Sequence, residues 1–276
     1  MKELLNSNRY RYLHGKQFFP AVISAVVTAF ASLTITKLIT KYALMLPTDS
    51  FEPLYSNGYY NFGVLKVQHV QDLANLSVEQ LMSSAFIGGF LAMILAIFIP
   101  MFICGSFKGG YIQNAYVRGN SKLKILLSYV VSSLEIFFTV YVAYIVSLLL
   151  FSSVMNGTTI GGTELLNCLA VFGRELFAHF VFLAVCIAAS FMVNKTSACV
   201  ISLIFSVIAF PGLLTTADLI FQSDFKLSSL WIVNIIGLWS VTPLTNFATS
   251  FIVALITLFI SIGTALIMFV YSDIKQ

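Results

Sequence analysis

The sequence predicts an all-α integral membrane protein with six transmembrane helices. Three observations predict it. The chain is 59% hydrophobic and only 9% charged, with a mean hydropathy of +0.94, whereas a soluble domain averages roughly 25% charged residues. Unbroken apolar runs recur at 18–38, 84–104, 125–151, 166–193, 197–217 and 249–271, each near the ~20 residues that cross about 30 Å of hydrocarbon. The runs are long and do not alternate, as barrel strands would, and a helix satisfies its own backbone in lipid.

The elements follow in chain order. The first twenty residues carry charged and aromatic side chains ahead of a long apolar run, which reads as a retained first span. Residues 39–83, with Pro47, Pro53 and the turn SNGYYNFG, form the largest loop, and 152–165 form a short Gly/Thr-rich one. NKTS at 194–197 is a tight turn between the fourth and fifth spans. The stretch 227–241 is apolar but short, which favours an interfacial or re-entrant helix. No globular linker or internal repeat divides the chain, so 1–276 reads as a single transmembrane domain.

Charge sets the expected orientation. With the amino terminus inside, ten of the fifteen basic residues fall on the inner segments, namely Lys2, Arg9, Arg11, Lys16, Lys108, Arg118, Lys122, Lys124, Lys195 and Lys275. Asp49, Glu52, Asp72, Glu79, Glu164, Asp218 and Asp224 fall outside. Both termini are therefore expected in the cytoplasm, and 39–83 outside. The four cysteines form no CxxC and read as small apolar core residues.

The basic connector FKGGYIQNAYVRGNSKLKILL, residues 107–127, is more detailed than a topology signal requires. Gly105, Gly109 and Gly110 end the second span, Tyr111–Val117 can make a short helix, Arg118–Ser121 turns the chain, and Ser121 can cap the helix that follows. Residues 109–134 resemble the segment between the second and third spans of permeases in the type 2 ATP-binding-cassette exporter family. Gly110, Ile112, Asn114, Gly119, Ser121, Lys122 and Ile125 stand in matching places. Phe107-Lys108 replace an acidic residue common before the Gly, and Lys122 replaces the more usual Arg.

The resemblance implies a bacterial plasma-membrane permease domain that exports a peptide, drug or lipid-like cargo, with a basic, aromatic amphipathic interfacial helix over 8–19 and a partly inserted helical hairpin over about 218–247 before the last span. It implies that 111–117 is a cytoplasmic coupling helix seated in an ATPase, through Tyr111, Ile112, Asn114, Tyr116, Arg118, Gly119, Ser121 and Lys122. The ATPase would be a separate subunit, in two copies, and would hold ATP and Mg; this chain has no GxxxxGK[ST] phosphate loop. A second permease copy or a paralogue, together with membrane lipid, completes the expected partners; nucleic acid is not among them.

Ionisable residues inside spans are functional hypotheses by default. Glu135 lies about ten residues, or roughly 15 Å, into the third span and is expected to pair with another span or subunit. Arg174 is expected near the outer boundary as an anchor or in an intramolecular ion pair. Glu175 and His179 share one helix face and read as a packed polar pair. The competing reading is a proton-coupled secondary carrier or channel using Glu135, Glu175 and His179. An enzyme is not expected: HExxH and GxSxG are both missing, and His14, His69 and His179 lie far apart. No metal or cofactor site is anticipated in this chain.

Overall fold

The structure, a computed structural model, describes residues 1–15, 17–45, 76–156, 162–221, 227–239 and 247–271, and the backbone of 55–56, 59–61 and 66–67. Ten α-helices are described: α1 Lys2–His14, α2 Phe18–Ala43, α3 Val78–Ile87, α4 Phe90–Lys108, α5 Tyr111–Val117, α6 Lys122–Asn156, α7 Gly162–Val193, α8 Thr196–Phe221, α9 Ile232–Trp239 and α10 Phe247–Tyr271. A single 3-10 turn, Leu227–Leu230, precedes α9. Between α2 and α3 lie three short antiparallel strands, β1 Tyr55–Ser56, β2 Tyr59–Asn61 and β3 Lys66–Val67, with Tyr55 opposite Tyr60 and Tyr60 opposite Val67.

Six helices, α2, α4, α6, α7, α8 and α10, are long and apolar enough to cross a membrane, and the chain is a multi-pass membrane protein. They run alternately up and down. At one end, called proximal here, α1 meets the last turn of α4 and the second turn of α6 through Arg11, Ser106 and Tyr129. The end of α7 joins them there, with Phe191 5.9 Å from Phe107 and 4.9 Å from Phe269 near the end of α10. At the opposite, distal end, Lys37 near the end of α2 donates to the carbonyl of Met155 in the last turn of α6. A cation on the exposed carbonyls of a helix C-terminus satisfies an orphan acceptor and complements the helix dipole.

The second span departs from the sequence reading. The apolar run at 84–104 is not one helix, because the chain breaks at Gly88–Gly89 and α4 extends instead to Lys108. Gly89 takes φ +66°, a left-handed conformation that costs glycine nothing and other residues about 1–2 kcal/mol. Its Cα lies so close to α8 that an added Cβ would stand 3.3 Å from Val207 Cγ1. Before the break, α3 is a ten-residue helix that starts with a capping box. Ser77 Oγ accepts from the Gln80 amide at 3.2 Å, and Gln80 Oε1 accepts from the Ser77 amide at 2.9 Å. The loop expected over 39–83 is correspondingly shorter, since α2 runs on to Ala43 and α3 begins at Val78. The helix expected over 8–19 is also divided: α1 ends at His14 and Phe18 opens α2.

The hairpin before the last span folds back along α8. Asp218 accepts from the amides of Leu227 (Oδ1, 2.6 Å) and Ser228 (Oδ2, 3.0 Å), which caps the 3-10 turn. Trp231 then donates Nε1–H to the Ser206 carbonyl at 3.0 Å and packs edge-on against Phe210. Ser206 lies about four turns, or some 22 Å, from the end of α8, so the segment descends well into the bundle. At eight residues α9 is too short to cross, and it buries Ile232, Val233, Ile235, Ile236 and Trp239 in the core. Of the expected 218–247 hairpin, residues 222–226 and 240–246 lie outside the described residues.

Candidate functional site

Two places gather the residues that the sequence singled out. The first is the proximal connector. Two glycines in the left-handed region bracket α5, Gly110 at φ +70° and Gly119 at φ +83°. Gly110 reverses the chain after α4, and its carbonyl accepts the Asn114 amide at 2.9 Å. At the other end the Gly119 amide bonds to the Tyr116 carbonyl at 2.9 Å, and Asn120 Nδ2 to the Ala115 carbonyl at 2.9 Å. These bonds satisfy the last carbonyls of a helix too short to be stable alone.

Ile112 is the anchor of α5 and is fully buried. Asn114, Tyr116, Val117, Arg118 and Gly119 are exposed, so one face of α5 presents aromatic and aliphatic groups beside a guanidinium. Ser121 Oγ accepts the Lys124 amide at 3.4 Å and caps α6. Lys122 donates to the Val270 carbonyl at 2.8 Å, tying the turn to the end of α10. Beside it, Phe107, Lys108, Lys195 and Thr196 line an open pocket of about 540 Å3 between the end of α4 and the α7–α8 turn.

The sequence did not foresee how α1 joins this connector. Asn8 donates to Ser128 Oγ at 3.2 Å, and Arg11 donates to Tyr129 Oη at 3.1 Å and Ser106 Oγ at 2.7 Å. The Arg11 guanidinium also lies 3.8 Å from the centre of the Tyr111 ring, the first residue of α5. Tyr12, one residue on, is buried, and burial pushes its phenol pKa up. The i, i+3, i+4 spacing of Asn8, Arg11 and Tyr12 is the one available signal, because it marks a single face of α1.

Glu135 belongs to this end too. Its partner is Arg9 of α1, through Nε to Oε2 at 3.2 Å and a second contact from Nη2 to Oε1. The expectation of a partner on another span or subunit is corrected. That hydrogen bond and the carboxylate's charge raise the Arg9 pKa above its ordinary value. Glu135 stands seven residues, or ~10 Å, beyond Ser128 along α6, within one arginine's reach of a polar helix. The first turns of α6 therefore flank α1, and residues 136–156, about 31 Å of helix, are still long enough to cross hydrocarbon about 30 Å thick.

The second place is the bundle centre. Glu175 and His179 are both fully buried on one face of α7. His179 Nδ1 lies 2.8 Å from the Glu175 carbonyl and 3.4 Å from its Oε2. A carbonyl only accepts, so Nδ1 carries the proton; Nε2 is buried with no hydrogen-bond partner. Aromatic rings wall the pair. Phe86, the penultimate residue of α3, lies 5.7 Å from the His179 ring, and Tyr141 lies 6.3 Å from it. Tyr144 Oη donates to the Ala85 carbonyl at 3.0 Å, holding the end of α3 against α6. Trp239 of α9 stacks on Phe177 at 6.0 Å. The broken second span and α9 thus converge on the height of Glu175.

Arg174 lies about three turns into α7 and is half-buried, its Nε enclosed without a hydrogen-bond partner. Cys104, Cys168, Cys186 and Cys199 are all buried. Among the described residues no group of three His, Cys, Asp or Glu side chains converges to hold a metal ion.

Fold and geometry together define a helical multi-pass membrane protein with an exposed, glycine-bracketed helix at one end and a buried acid–imidazole pair at its centre. No protein-family model, curated protein or solved structure matches the chain.

Proposed function

We propose that this chain is the membrane-spanning subunit of a type 2 ATP-binding-cassette exporter, with the proximal end in the cytoplasm of a bacterial cell. The observation that carries the reading is α5: a seven-residue helix between two left-handed glycines, anchored by Ile112 and exposing Tyr116, Val117 and Arg118. An exposed aromatic–arginine face on a short helix has the composition of an interface anchor. Its position between α4 and α6 lets a push on α5 reach two spans at once. The occupant is an ATPase subunit, in two copies, that holds ATP and Mg. A second permease copy or a paralogue shares the pathway, and the cargo is a peptide, drug or lipid-like molecule. The ATPase movement rocks the spans as packed rigid bodies.

The test is purification from its native membrane with identification of what co-elutes. Replacing Tyr116 and Arg118 with Asp is expected to release the ATPase, or to leave ATP hydrolysis running without export. A complex that assembles and exports normally with both changes sinks the reading.

A second reading rests on the bundle centre. Discontinuous helices meeting at a buried ionisable group are the arrangement of substrate and ion sites in secondary carriers, and α3–α4 breaks beside Glu175 and His179. On that reading, transport follows a proton gradient without any ATPase and is lost in Glu175→Gln. Transport that ignores the gradient and requires ATP removes it.

A further inference from the structure

The guanidinium of Arg11 is where four elements meet. In its plane it donates Nη1 to Tyr129 of α6 and Nη2 to Ser106 of α4. Its face covers the ring of Tyr111, the first residue of α5, at 3.8 Å. Ser106 is oriented for this, since its own hydroxyl donates to the Phe102 carbonyl at 2.7 Å and leaves lone pairs for Arg11. The Tyr111 ring also lies close to Gly109, where an added Cβ would stand 2.6 Å from it. Tyr111 thereby touches both the backbone that leads into α5 and a cation.

The bracket around α5 makes this hold necessary. Left-handed glycines are permissive joints, and a seven-residue helix with one buried side chain has little stability of its own. A push on α5 could be absorbed by rotation at Gly110 and Gly119. We propose that Arg11 is the positioning residue that locks α5 to α1, α4 and α6, so that displacement of α5 is carried into the bundle. Only a guanidinium can donate in its plane to two helices while its face stacks on a third; a lysine ammonium has no face. The transport consequence rests on the exporter reading; the lock itself does not.

The test is hydrogen exchange by mass spectrometry across residues 110–119, on the whole chain in lipid nanodiscs with no partner added. Arg11→Lys and Tyr111→Leu are each expected to speed exchange there about tenfold, with exchange in α7 and the thermal midpoint unchanged; Lys2→Gln, at the exposed start of α1, is expected to leave α5 as it is. Unchanged exchange in α5 for both variants overturns the lock. Where the ATPase co-purifies, Arg11→Lys is expected to hydrolyse ATP at the wild-type rate and export several-fold less cargo per ATP. Faster exchange with an unaltered export-to-ATP ratio overturns the transmission role. Faster exchange in a chain that binds no ATPase upholds the lock and refutes the exporter reading instead.

Discussion

Replacing Gly89 with Ala tests the break in the second span directly. Two separate costs follow from the structure. The residue sits at φ +66°, which an L side chain adopts at about 1–2 kcal/mol. The new Cβ would also stand 3.3 Å from Val207 Cγ1, a contact tight enough that α8 must yield by a few tenths of an ångström, and overpacking of a full core costs about 1–3 kcal/mol. Together these give roughly 2–5 kcal/mol for Gly89→Ala. Gly119→Ala calibrates the first term, since Gly119 has φ +83° and open space where its Cβ would go, so it should cost only the backbone share of about 1–2 kcal/mol. Val207→Ala relieves the contact but not the dihedral, so the double variant with Gly89→Ala should show a favourable coupling of about 1 kcal/mol. Reversible unfolding by sodium dodecyl sulfate in mixed micelles, followed by circular dichroism, measures all four. A loss below about 0.5 kcal/mol for Gly89→Ala, within the range of an ordinary surface change, would mean that 84–104 forms one continuous helix and that the break is wrong.

Two further outcomes follow from the hairpin and the amino-terminal helix. Asp218→Ala removes the acceptor for the Leu227 and Ser228 amides and should cost about 0.5–2 kcal/mol, the range for a lost cap. In a Trp239→Phe background, Trp231 fluorescence should then shift red as its bond to Ser206 loosens, and an unshifted spectrum counts against the cap. Glu135→Arg should raise the susceptibility of α1 to proteolysis, and the charge swap Arg9→Glu with Glu135→Arg should restore protection; failure of the swap to recover any protection rules out the ion pair as the tether.

Much of this molecule is legible residue by residue. Crossing a membrane is a local property of one helix, because length and apolar content decide it without reference to neighbours. The six spans could therefore be read from the chain, and so could the short helix at 111–117, which glycines punctuate on both sides. Glu175 and His179 share a face for the same reason, four residues apart on one helix.

What the chain alone could not decide depends on partners distant in sequence or on backbone angles. Hydropathy treats Gly88 and Gly89 as ordinary members of an apolar run, and only the folded chain shows the left-handed turn at Gly89 and its close approach to α8. Glu135 reads as an intramembrane charge until Arg9, 126 residues away, draws it to the end of the bundle. The apolar segment at 227–239 could lie on the surface or dip inward, and its depth is set by Asp218 and Ser206 on a neighbouring helix. Arg11 reads as one more basic residue of an interfacial helix. Packing three other helices around it makes it a joint, because a guanidinium engages several partners only when tertiary structure brings them into its plane and onto its face.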